Sequence, residues 1–373
     1  MRILHVSDTY APTVGGIEVF VHDLAQHQAA EGHHVTVRTR TPSAASEEQD
    51  GVTVVRDRRR AGSLVTEADA VHVHVSALSP LAVRAAEDAA RHGTPVVVTV
   101  HSMWTDMWQI ARVVGSTRGW HSLPIQWAAV SSAAAEPVRR AVRRPVMVLP
   151  NAVQSSDWLP LERPRRDGVT IVAVLRMARR KRPLQLVSLL ARARRVVPPQ
   201  VPMKAVLVGD GPLRAAVDRA IARSGLDWVE TVGALTRAEI AQVYRSADVF
   251  VAPATMESFG IAALEARTAG LAVLARAGTG VEEFVHHGVD GMLVDGDSAM
   301  ADALAQLCTE PTTLDRIKAH NAHHLPQFDW ADALWRNDMA YAAAAALVVR
   351  PAQTGGVRLA QRGLSVHDLA FEP

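Results

Sequence analysis

Val251-Ala252-Pro253-Ala254-Thr255-Met256-Glu257-Ser258-Phe259-Gly260-Ile261-Ala262-Ala263-Leu264-Glu265-Ala266-Arg267-Thr268-Ala269-Gly270 is the stretch that decides how the chain is read. The apolar run Val249 to Ala252 reads as a buried strand, which Pro253 ends. Ser258 is the expected helix N-cap, and Ile261, Leu264 and Glu265 then fall at helical spacing until Gly270 closes the segment. Glu257 is thereby placed just ahead of a helix N-terminus and Glu265 near that helix's second turn, so both carboxylates border one cleft beside unpaired backbone N–H groups. Such a cleft suits an anionic ligand that also carries hydroxyls. The amides and the helix dipole attract phosphate oxygens, while a carboxylate accepts hydrogen bonds from sugar or ribose hydroxyls. Two Glu eight apart are, in most sequences, only a loop charge and a solvated helix residue, so the flanking sequence has to decide.

The 373 residues are enough for two α/β domains of ordinary size, each with its own core. Charged residues make up 21% and the formal net charge is only +2, which argues against a dedicated binder of nucleic acid or another polyanion. The single cysteine, Cys308, excludes an intrachain disulfide framework and fits a reducing cytoplasm. Arg2 to Val6 lead directly into Asp8 and Pro12 without the pattern of a signal peptide, and no apolar run approaches the ~20 residues of a membrane span. A cytoplasmic location is expected. Any membrane contact would be weak and peripheral, through the basic cluster Arg139, Arg140, Arg143 and Arg144 at the inner face.

Ile3, Leu4 and Val6 read as a first strand, Ser7 to Gly16 as a loop, and the chain from Ile17 as a helix that Gly32 stops before a strand at Val35 to Thr39. Gly15 and Gly16 therefore lie at a strand-to-helix turn, where a phosphate can approach the backbone closely. Val71, Val73 and Val75 alternate with His72 and His74, which puts both histidines on one face of a strand. A metal there would need a third ligand that the sequence does not identify, so His74 is expected to line a cleft at the strand's carboxyl end. Val96 to Val100 form a strand that delivers His101 to the same end of the sheet. Arg112 to Leu123 read as irregular, and Trp104, Trp108 and Trp120 as core residues before sugar-stacking ones.

Gln154 to Gly168, with Pro160 and Pro164, have the composition of an exposed connector. Val169 to Val174 open the second half as a buried strand, at whose end stand Arg176 and Lys181 in a basic run with Arg179, Arg180 and Arg182; such a run is usually a solvated surface, but at a strand's carboxyl end two fixed cations could neutralise a departing diphosphate. Gly209-Asp210-Gly211-Pro212 turn a strand into a helix, and Val229 to Gly233 lead to a loop at Leu235. His320, His323 and His324 read as a solvated helix face, and the residues after Val349 as a loosely ordered tail.

Glu257, Ser258, Phe259, Gly260, Ile261 and Glu265, followed by Ala269-Gly270, resemble the signature of family four of the retaining glycosyltransferases. Pro12, Gly15, Gly16, Ile17 and Glu18 resemble that family's glycine loop, Thr99-Val100-His101 its strand-end histidine, and Arg176 with Lys181 its cation pair. Leu175 and Ala152 stand where the family usually has Gly.

The resemblance implies the α/β GT-B fold: two Rossmann-like domains with parallel sheets facing across a cleft, and a C-terminal helix crossing back to the first. The expected division is 1–153, a linker at 154–168, 169–328, a crossing helix at 329–348 and a tail at 349–373. It further implies transfer of a sugar from a UDP- or GDP-linked donor to an acceptor hydroxyl with retention, without metal or cofactor. In the roles it implies, His101 and Glu257 orient the donor sugar and Arg176 and Lys181 stabilise the leaving diphosphate. Gly15, Gly16, Gly209, Leu235, Ser258, Phe259, Gly260 and Ile261 line the donor, Glu265 holds the ribose, and Glu18 and His74 lie on the acceptor side. The acceptor is a soluble sugar, a cyclitol, a natural product or a lipid-linked molecule. Rival readings are a sugar-nucleotide epimerase on the same fold and an inactive sugar-nucleotide-binding partner.

Overall fold

Strands made of near-continuous Val, Ile, Leu and Ala are apolar on both faces and persist only where helices cover both sides of a parallel sheet. The computed structural model, which describes residues 1–13, 15–43, 48–56, 61–159 and 167–348, contains two such sheets. The first is built from β1 (Arg2–Ser7), β2 (His34–Thr39), β3 (Glu48–Gln49), β4 (Val52–Val55), β5 (Ala70–Val75), β6 (Val96–Val100), β7 (Ile125–Ala129) and β8 (Val146–Val148), in the order β3-β4-β2-β1-β5-β6-β7-β8. The second comprises β9 (Val169–Val174), β10 (Met203–Val208), β11 (Val229–Gly233), β12 (Val249–Ala252), β13 (Ala272–Arg276) and β14 (Gly291–Val294), in the order β11-β10-β9-β12-β13-β14. All neighbours run parallel except the two-residue β3, which pairs antiparallel with β4 at one edge and so departs from the wholly parallel expectation.

The terminal helix Trp330–Val348 lies on the first sheet, as expected of a helix that crosses back. Its Ala340, Tyr341 and Ala344 pack against Ile3, Ala70, Val97 and Ala128, and the small side chains let the helix axis come close to the strands. Trp330 stacks on His27 of the first helix (Gly16–Ala30) at 4.3 Å between ring centroids.

Two expectations need correction here. The segment Arg112 to Leu123 is not irregular, because Trp108–Arg118 form a helix. Gly115 inside it makes room for the Trp120 ring, which a Cβ would meet at 2.7 Å. Trp104 and Trp120 are core residues, and Trp120 Nε1 donates to Glu87 at 2.8 Å. The expected exposed connector starts instead with a helical turn, Ser155–Trp158, whose Trp158 is buried against Tyr244. Pro160, Pro164 and the expected tail 349–373 lie outside the described residues.

Side chains and backbone join the two halves directly. The Ser258 hydroxyl donates to the His101 carbonyl oxygen at 2.6 Å, the Ser132 amide to Glu283 Oε1 at 2.6 Å, and Arg237 pairs with Asp23 at 2.7 Å.

Candidate functional site

The carboxyl end of β12 opens into the loop 253–260, which folds over the turn Gly280–Glu283. The Gly280 amide donates to the Glu257 carbonyl at 2.8 Å, and a Cβ on Gly280 would collide with the Ser258 carbonyl oxygen. Gly260, not Ser258, is the N-cap of the helix Ile261–Thr268: its φ of +93° is a left-handed conformation that favours glycine, and a Cβ there would meet Val281 at 2.8 Å. Ser258 is freed from capping and reaches His101 across the gap instead. Phe259 turns inward onto Phe284 and Phe328, so only its backbone can face a ligand.

The first helix is also capped by a glycine, Gly15, and neither cap supplies a side-chain acceptor. The opening amides of both helices are therefore left for a ligand. A Cβ on Gly16 would stand 3.8 Å from Ile261 Cδ1, so the two helix starts face each other across the cleft. The Glu18 carboxylate folds over Gly15, where a Cβ would collide with it.

Arg176 and Lys181 extend from the end of β9. Lys181 Nζ lies 2.5 Å from Glu257 Oε2, which ties the cation to the loop after β12. Arg176 is exposed, and its side chain makes no hydrogen bond or ion pair among the described residues. Arg182 has left-handed backbone (φ +57°) and binds Asp297 bidentately at 2.7 and 2.8 Å, a structural role. Leu175 is not among the described positive-φ residues, so a side chain is accommodated there. Its carbonyl is instead what Gly209 must avoid, since a Cβ on Gly209 would collide with it. Leu235 is half-buried ahead of the helix Arg237–Arg245, which Thr236 and Glu239 open with a capping box.

Glu265 is 7% exposed, and none of the described hydrogen bonds ends on its carboxylate. Burial pushes its pKa up to about 8, against the pull of the Arg237 guanidinium and with a push from Asp23. Reasoning from sequence missed Arg237 and Asp23. The available signal was an aspartate at a position buried with the first helix's apolar face.

His101 closes the cleft from the first half, and its ring is 5.6 Å from Phe20. His74 does not line the cleft: it is 1% exposed and lies behind His101, with its Nδ1 3.0 Å from His101 Nε2. The third histidine that the sequence did not identify is His5, whose ring lies with His72 and His74 in one buried cluster. The ring nitrogens of all three are engaged in hydrogen bonds with one another, His101, Gln28, Tyr341 and Thr99. In the basic cluster, Arg139 and Arg140 both pair with Glu136, whose single carboxylate offsets part of the cluster's charge. Among the described residues no helix is long and apolar enough to cross a membrane.

The family model for Glycosyltransferase Family 4 matches residues 14–157, and that for Glycosyl transferases group 1 matches residues 162–324, so that together they span most of the chain. The D-inositol 3-phosphate glycosyltransferase of Kribbella flavida is 32% identical over 175 residues, which are 44% of this chain and 41% of that relative's length. A phosphatidylinositol N-acetylglucosaminyltransferase subunit from Arabidopsis thaliana is 26% identical over 91% of this chain and 81% of its own. Among solved structures, Anabaena Alr3699/HepE in complex with UDP and glucose superposes with a TM-score of 0.73 at 19% identity, covering 92% of this chain and 99% of that one. WaaG, a glycosyltransferase involved in lipopolysaccharide biosynthesis, gives 0.67 at 15% identity, covering 95% and 100%. The sheet order, the crossing terminal helix and these matches lead to one conclusion: the chain belongs to family four of the glycosyltransferases, the glycosyl transferases of group 1, and has the GT-B fold of two Rossmann-like domains.

Proposed function

We propose that the chain transfers a hexose from a nucleoside diphosphate to an acceptor hydroxyl, with retention at the anomeric carbon. The observation that carries this reading is the buried Glu265 carboxylate without a hydrogen-bond partner among the described residues, set beside two helix N-termini that lack side-chain caps. A carboxylate waiting for hydroxyl donors next to amides waiting for phosphate oxygens matches the ribose and the diphosphate of one ligand. Glu265 takes the ribose hydroxyls, and the amides following Gly15 and Gly260 take the phosphates. Glu257, held by Lys181, and His101 face the sugar.

In the reaction the bond from the anomeric carbon to the β-phosphate oxygen breaks while the acceptor oxygen bonds to the same face. The acceptor's proton passes to the departing phosphate. Arg176 and Lys181 stabilise the charge that develops on the diphosphate, an interaction stronger in the transition state than before it. Glu18, at the glycine loop, belongs to the acceptor side. The cytoplasmic, metal-independent character expected from the sequence is part of the same proposal, and so is the division of the chain at 154–168. UDP and UDP-glucose, bound by the Anabaena structural neighbour, are the first donors to try.

A thermal-shift panel of UDP, GDP, ADP and TDP with their common sugar conjugates tests the site, because a ligand that binds only the folded chain must raise its apparent stability. A selective shift that Glu265→Ala abolishes supports the reading. No shift with any of them overturns it. Conversion of donor without an acceptor would favour the epimerase instead.

A further inference from the structure

Behind His101 the first sheet buries an unbroken line of polar side chains that the proposed reaction leaves unused. His101 Nε2 lies 3.0 Å from His74 Nδ1, His74 Nε2 lies 2.9 Å from His5 Nδ1, and His5 Nε2 lies 2.6 Å from Gln28 Oε1. Gln28 Nε2 donates to the Tyr341 hydroxyl at 2.9 Å. That hydroxyl is 3.0 Å from His72 Nδ1, and His72 Nε2 is 2.8 Å from Thr99 Oγ1. All seven residues are buried. Burial keeps the four imidazoles neutral, with His5 pushed down to about 4, His101 to about 3, and His72 and His74 well below the ordinary value.

A neutral imidazole has one N–H and one bare nitrogen, so along a closed line the sense of one hydrogen bond dictates the rest. Gln28 sets that sense, with its carbonyl oxygen towards His5 and its amide nitrogen towards Tyr341. His5 then carries its proton on Nε2 and accepts at Nδ1 from His74 Nε2–H. His74 in turn accepts at Nδ1 from His101 Nε2–H. His101 is left with a bare Nδ1, which no described residue bonds. At the far end the Tyr341 and Thr99 hydroxyls, each able to donate or accept, hold the two nitrogens of His72.

We propose that this line, held by Tyr341 on the terminal helix, fixes the tautomer of His101 so that Nδ1 offers a hydrogen-bond acceptor to a hydroxyl of the donor sugar. His5, Gln28, His74 and Tyr341 are positioning residues, acting through His101. The role given to the sugar rests on the donor-site reading above; the tautomer does not.

Nitrogen-15 NMR of the histidine-labelled full chain reads the tautomer without ligand. In the wild type, His101 is expected to hold its proton on Nε2. Tyr341→Phe removes the hydroxyl that orients the Gln28 amide and is expected to move His101 towards the Nδ1–H form. It is also expected to weaken UDP-glucose about three- to tenfold, the worth of one neutral hydrogen bond, while UDP affinity changes less than about twofold. Thr99→Val, a nearly isosteric change beyond the Tyr341 hydroxyl, leaves Gln28 its acceptor and is expected to keep the wild-type tautomer. Gln28→Glu still demands Nε2–H on His5 and is likewise expected to keep it. A wild-type His101 protonated on Nδ1, or a tautomer that Tyr341→Phe leaves unchanged, overturns the proposal. Failure of UDP and UDP-glucose to bind the wild type overturns the donor site while the spectra still decide the tautomer.

Discussion

Glu265 is held in a conformation that binds ligand at a cost to the empty protein. Its ordinary pKa is 4.5 and its folded value about 8, so between these values the folded state binds more protons than the unfolded one. The contribution of Glu265 to stability must therefore fall as pH rises from 4.5 to about 8, and stay level beyond. Glu265→Gln is expected to remove that decline, raising the urea midpoint at pH 8 more than at pH 5, while weakening nucleotide binding. A variant no more stable at pH 8 than the wild type would show that the carboxylate is not desolvated.

Arg176 makes the opposite case, being exposed and without a partner among the described residues, so Arg176→Ala is expected to leave stability within about 0.5 kcal/mol. The transfer rate is expected to fall by about 10²–10³, the usual effect of losing a group that stabilises transition-state charge. Lys181→Ala is expected to slow transfer similarly and to cost some stability as well, since it strips Glu257 of its ion-pair partner. These four residues were legible in the sequence because strand ends and helix starts fix where they stand. Arg237, Asp23 and Tyr341 were not, because what matters about each is a partner far along the chain. Gln28 meets Tyr341 across 313 residues, and no local pattern reports that meeting.

The loop 253–260 keeps its shape through glycines that no side chain could replace. Gly280→Ala is expected to displace the Ser258 carbonyl, cost ~1–3 kcal/mol and abolish the thermal shift produced by sugar nucleotide. Gly278→Ala is the control: its φ of +71° costs ~1–2 kcal/mol, but nothing lies within 4 Å of the added Cβ, so the ligand-induced shift is expected to survive. Equal loss of the shift in both would assign the effect to stability alone. Sequence patterns misplaced two elements here for identifiable reasons. Ser258 has the chemistry of an N-cap, but a left-handed Gly260 performs that task with no side chain. Gly115 has the look of a helix breaker, yet it sits inside a helix because the Trp120 ring occupies the space beside it.

At the scale of the whole molecule, the buried histidines and Glu265 together set where stability peaks. His5 and His101 fall from the ordinary 6.5 to about 4 and about 3, and His72 and His74 fall well below 6.5. For each, the unfolded chain takes up a proton below 6.5 that the folded chain refuses, so stability is fully present above 6.5 and drains away as pH falls towards the folded values. Glu265 works in the other direction between 4.5 and about 8. From 4.5 to 6.5 four histidines outweigh one carboxylate and stability climbs with pH. Above about pH 7 the unfolded histidines are largely deprotonated, Glu265 dominates and stability declines. The ligand-free protein is thus expected to be most stable near pH ~7. Urea unfolding at about pH 5, 7 and 9 checks this, and a monotonic trend across the three would contradict it. Saturating sugar nucleotide should flatten the alkaline side, because ribose hydroxyls donating to the Glu265 carboxylate favour its charged form and lower its folded pKa. The acid side should keep its slope, since the histidine line lies behind the cleft, and three of its four imidazoles touch only protein.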